Sequence, residues 1–171
     1  MTRSSLLRTA AVAVALTAAA GSAVLVTAGA GSAENKTTGG SGRTLTAVLS
    51  GANEISLTGV AGVGDPDGAG QAEITINAGR GEVCFDLAWR NIGPLAAAHI
   101  HEAAAGTNGP IVFEFPSTTF MRGKAVGCDD APKDVLQGIL TDPTGYYVNF
   151  HTSNPAPNFF PGGAVRGQLA K

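Results

Sequence analysis

The segment "QAEITINAGRGEVCFDLAWR" (71–90) restricts the fold more than any other part of this chain. Ala72, Ile74, Ile76 and Ala78 fall on one parity, and Gln71, Glu73, Thr75 and Asn77 on the other. Beyond Gly79 and Gly81, Val83, Phe85, Leu87 and Trp89 alternate with Glu82, Cys84, Asp86 and Arg90. A period of two is the signature of a half-buried strand, so the segment reads as a hairpin. "TLTAVLS", "AAAHIHE", "PIVFEF", "GYYVNFHT" and "AVRGQLA" are further strand candidates, with Gly and Pro between most of them. Only "PKDVLQGIL" is helical in pattern; Pro132 suits its first turn and Gly138 its end, so it is expected as one short turn. Seven or eight short strands without alternating helices predict an all-β domain over 43–171, a single antiparallel Greek-key β-sandwich or barrel.

The N-terminus is of a different kind. Arg3 and Arg8 precede a long Ala, Val, Leu and Thr run that closes on "AGAGSA". A basic head, an apolar middle and a small-residue exit describe a secretory signal peptide over 1–33, cut after Ala33 or, alternatively, Ala30. The competing reading is an uncleaved anchor, but the run is built of small residues rather than Leu, Ile and Phe. With the signal removed, no membrane span is expected. Residues 34–42, "ENKTTGGSG", have nothing to bury and read as a flexible linker.

Of 13 acidic and 11 basic side chains, the leader carries two arginines and no acid, so the mature chain is mildly acidic. It has no basic stripe for nucleic acid or anionic lipid. Export would bring Cys84 and Cys128, the only cysteines, into an oxidising compartment, where one disulfide is expected. Two thiolates on a metal are the alternative, and would need further ligands nearby.

All three histidines lie in two segments, His99 and His101 in "AAAHIHE" and His151 in "YYVNFHT". On a strand, i and i+2 share a face, so His99 and His101 project together, and His151 joins them if its strand lies alongside. Three neutral imidazoles suit copper or zinc. The alternative is that His99 and His101 hold the Gly106–Gly109 loop by hydrogen bonds without a metal. Met121 is either a weak extra copper ligand or a core filler.

Arg166 in "AVRGQL" alternates with Val165 and is read either as an anion site or as a structural partner of Glu102 or another carboxylate, with Gln168 on the same face. "GDPDGAG" places Asp65 and Asp67 like the start of a calcium loop, but lacks the later acidic ligands and is better turn chemistry. Asp129 and Asp130 read as a solvated loop. No Gly-x-Ser-x-Gly elbow or carboxylate pair is present, so any catalysis would rest on the histidines.

"AAHIHEAAAGTNGPIV", "GYYVNFHT" and "FPGGAVRGQL", in that order from Leu45 to Leu169, resemble the CHRD domain first recognised in the growth-factor antagonist chordin. "GDPDGAG" and the cysteine pair are similar to its bacterial exported branch. The resemblance implies an exported immunoglobulin-like or superoxide-dismutase-like all-β domain and supplies no activity. Chordin's cysteine-rich growth-factor modules are absent. Copper/zinc superoxide dismutases carry a similar His-x-His-Glu strand but need more histidines than this chain has. The expected function is a noncatalytic binding or structural module of the cell envelope or extracellular space with an unidentified partner there; the alternative is a copper or zinc protein using the three histidines, possibly redox-active.

Overall fold

In the computed structural model the alternation read from the sequence becomes alternation of burial. The model describes residues 42–153, 160 and 162–171; the signal peptide and all of the linker but Gly42 lie outside the described residues. Among the described residues the strands are β1 (Arg43–Ser50), β2 (Ala69–Asn77), β3 (Glu82–Arg90), β4 (Leu95–Glu102), β5 (Ile111–Glu114), β6 (Phe120–Met121), β7 (Lys124–Asp130), β8 (Tyr146–Thr152) and β9 (Val165–Gln168), with one α-helix, α1 (Lys133–Thr141), before β8. They form one nine-stranded antiparallel sheet in the order β5-β4-β8-β9-β1-β2-β3-β7-β6, curled into a half-barrel. The domain is thus mostly β and antiparallel as expected, its strands lie in one curled sheet, and they number nine rather than seven or eight.

The concave face carries the core. Leu45, Ile74, Leu87, Ile100, Val148 and Phe150 are all buried there, each side chain stabilising the fold by about 1.5–3 kcal/mol. Phe85, Phe113 and Phe115 stack edge to face, with centroids 5.1 Å apart in both pairs. The β2–β3 hairpin forms as read, with Asn77 opposite Glu82 and Gly81 at φ 72°.

Two segments differ from expectation. The helix has nine residues rather than one turn, and it packs Leu136 and Ile139 into the core. Gly138 lies inside it, because the Tyr146 hydroxyl occupies the space where a Cβ would stand. Cys128, Asp129 and Asp130 belong to β7 and not to a loop; both aspartates are solvent-exposed. "KAVGCDD" hides this strand because Gly and Asp are depleted in strands.

The convex face is wet along β1 to β3 but not over β4, β8 and β9. Strand β8 is buried along nearly its whole length on both sides, because residues 51–68 and 103–110 fold back over it. Backbone bonds Asp65 N to Ala164 O (2.8 Å) and Glu102 N to Pro110 O (3.0 Å) hold these loops down. The Asn108 amide ties one loop to the other through Ile55 O (3.1 Å) and Ser56 O (3.0 Å). Gly109 permits the close approach, since a side chain there would run into the Glu102 carbonyl.

Candidate metal centre under the convex-face loops

Antiparallel pairing of β4 with β8 sets His99 opposite Asn149, His101 opposite Tyr147 and Ala97 opposite His151. His151 is therefore diagonal to His99 on the same face, within side-chain reach. The ring centroids of His99 and His151 are 4.9 Å apart, those of His99 and His101 5.6 Å, and those of His101 and His151 6.5 Å. One nitrogen from each ring lies within 4.8 Å of the other two. A bound zinc or copper ion would draw these nitrogens to about 3.3–3.6 Å, a side-chain adjustment of roughly an ångström.

His101 Nδ1 lies 3.0 Å from the Gly109 carbonyl oxygen, which can only accept, so Nδ1 carries the proton and Nε2 the lone pair. That Nε2 is buried without a hydrogen-bond partner, as is His99 Nδ1. Both residues are 9% exposed. Burial, with His151 and His101 adding repulsion, pushes His99 down to about 4. Burial also pushes His101 down, partly offset by the Gly109 carbonyl. Both are neutral at pH 7, the form that ligates metals.

A second network adjoins the first. The His101 ring stacks on Tyr147 at 4.7 Å and 4° from the β4 side, and the Arg166 guanidinium lies 3.4 Å over the same ring from the β9 side. Arg166, 2% exposed, donates to Asn108 Oδ1 (3.1 Å) and to the carbonyls of Thr107 and Ala104 (3.4 Å for the latter). Gln168 donates to Ala103 O at 2.7 Å, so β9 clamps the loop that carries the Gly109 carbonyl. The structure does not join Arg166 to Glu102, which ends β4 at the surface and accepts from the Tyr146 hydroxyl at 3.3 Å.

The carboxyl near Arg166 is instead Glu54, 1% exposed and bonded to Asn149 Nδ2 at 3.4 Å. Burial pushes Glu54 up to about 8, with Arg166 pulling the other way, so it is mostly protonated at pH 7. Asp65 is also buried and shifted upward by burial, while its carbonyl accepts from Gly68 N at 3.2 Å, the turn read from the sequence. Met121 fits neither reading: it is 75% exposed on β6, at the opposite edge of the sheet order. Glu54, Asn149, Tyr147 and Asn108 escaped the sequence reading. Tyr147 and Asn149 share the parity of His151 and were within its reach, whereas Glu54 lies in an aperiodic loop.

A model of the CHRD domain matches residues 45–169. The chain belongs to the CHRD family. No curated protein and no solved structure matches it. In this CHRD domain the three sequence motifs supply the neighbouring strands β4, β8 and β9, and the loop inside the first motif is held by side chains of the third.

Glu54 gives the CHRD domain a measurable pH dependence. Its folded pKa of about 8 exceeds the model-peptide value of 4.5, so stability is lost as pH rises between the two. The depressed His99 acts the other way, below pH 6.5. Between pH 6.5 and 8 the Glu54 contribution therefore stands apart, and metal-free protein should lose about 2 kcal/mol there. Urea unfolding across that window should show the loss in the native chain and a nearly flat profile in Glu54→Gln; parallel profiles would refute the assignment.

Proposed function

We propose that this CHRD domain is an exported, noncatalytic module that holds one copper or zinc ion on His99, His101 and His151, for storage, delivery or redox use. The observation that carries the reading is the pair of buried, partnerless nitrogens, His99 Nδ1 and His101 Nε2, on rings clustered with a third imidazole. Buried polar atoms without partners are rare in native proteins and call for a water or an ion. The Gly109 carbonyl fixes His101 in the ligating tautomer, which is the usual outer-shell device of a metal site.

Export is supported by the basic-apolar-small leader and by the Cys84–Cys128 disulfide. No helix among the described residues is long and apolar enough to cross a membrane. Membership of the bacterial exported branch, kinship with immunoglobulin-like or superoxide-dismutase-like Greek keys, and an envelope or extracellular partner belong to the same proposal. The strand order supports the Greek-key kinship, since the chain passes three times between the two halves of the sheet.

Equilibrium dialysis of the mature protein against copper(II) or zinc tests the centre. About one equivalent per chain is expected at neutral pH, released on acidification as the imidazoles protonate. His101→Ala should lose it. Metal uptake that ignores this substitution, or no uptake at all, would overturn the reading. A pull-down from envelope fractions tests the partner, and retention no greater than on a scrambled control would count against it.

A further inference from the structure

Where β3 leaves for β4, the 89–95 segment and the 120–123 turn line a cleft of about 520 Å³ that contains none of the histidines. Its apolar wall is Trp89 and Phe120, edge to face at 6.4 Å, and Trp89 is anchored in turn on buried Phe150 at 5.9 Å. Arg90 and Arg122 line the same cleft, both exposed. Arg80 pairs with Glu82 and Lys124 with Asp86, but neither Arg90 nor Arg122 has an ion pair among the described residues. No Asp or Glu lines the cleft.

Between the two features stands Asn91, at φ 57° the only non-glycine residue with positive φ among the described residues. Its amide is tied to the Asp67 carbonyl at 3.3 Å. Backbone held in this region concentrates at binding sites, where the surroundings over-determine it.

We propose that this cleft binds an acidic saccharide, with carboxylates on Arg90 and Arg122 and the C–H face of a pyranose ring on Trp89 and Phe120. A guanidinium presents a planar fork matched to a carboxylate, and unpaired forks beside half-buried aromatic rings are poised for such a ligand. A bare inorganic anion would leave the aromatic wall uncovered, and a neutral sugar would leave both guanidiniums without a counter-charge. Arg90 ends β3 and Arg122 follows β6, so the two cations reach the cleft from different segments of the chain.

Trp89 is the chain's only tryptophan, so its emission reports directly on the cleft. Titrating the metal-free mature protein with a galacturonic acid tetramer at constant ionic strength should give a saturable emission change. Maltotetraose should give none. The Arg90→Gln/Arg122→Gln variant, with its urea midpoint unchanged, should bind at least tenfold more weakly. The proposal is overturned by no saturable change at millimolar tetramer, by an equal change with maltotetraose, sulfate or adenosine monophosphate, or by a titration unaltered in the double variant. Because no metal is added, the outcome is independent of the histidine centre.

Discussion

Arg166→Ala is expected to lower the free energy of unfolding by about 2–4 kcal/mol, the cost of taking a buried guanidinium away from the neutral acceptors it satisfies. The guanidinium is 2% exposed, donates to Asn108 Oδ1 and to two loop carbonyls, and lies over the ring of Tyr147. Its removal takes the donor from Asn108 Oδ1 and Thr107 O, and an acceptor left unsatisfied away from water costs about 1–3 kcal/mol, whereas Ala104 O keeps the Thr107 hydroxyl at 2.8 Å. Arg166→Lys keeps the charge but not the planar fork, so it should recover only part of the loss. Urea unfolding measures both variants. Amide exchange should accelerate first over residues 103–109, because β9 holds that loop. An alanine variant within about 0.5 kcal/mol of the native chain would show that the network is dispensable.

Loss of the disulfide should have a similar effect. Cys84 and Cys128 face each other in register on β3 and β7, 44 residues apart in sequence. The closed loop contains β4, β5 and β6, so the bond removes a large set of open conformations from the unfolded chain. On the entropy model a loop of this size corresponds to about 4 kcal/mol. Both cysteines lie on the parity opposite to core residues Val83 and Phe85, so Cys84→Ala/Cys128→Ala should lower stability by about that amount without repacking the interior. Intact mass with and without reductant establishes the bond, and the urea midpoint of the double variant measures its contribution. An unchanged midpoint would contradict the account.

Seven of the nine strands were legible because their side chains alternate, and alternation is a local property. Strand β7 was not, since Gly127 and two aspartates break the pattern and its place is set by pairing with β3. In the helix, Gly138 was read as a stop, because nothing local reveals that Tyr146 takes the space beside it. The shared face of His99 and His101 followed from spacing alone. Their meeting with His151 depended on a nonlocal strand pairing, and the structure supplies it. The partners of Arg166 were illegible for a different reason: they include backbone carbonyls, which every residue has, so no residue type marks them. Burial of Glu54 depends likewise on how a loop drapes over the sheet.

The last strand, β9, lies in the interior of the sheet, hydrogen-bonded to β8 on one side and to β1 on the other through Ser50 and Arg166. Sequence order and spatial order are thus opposed: the first and last strands of the domain form its central seam. A chain emerging from its N-terminal end, whether from a ribosome or through a translocation pore, cannot zip the two halves together until its final residues are free. Such long-range closure makes folding slow and leaves strand edges open meanwhile.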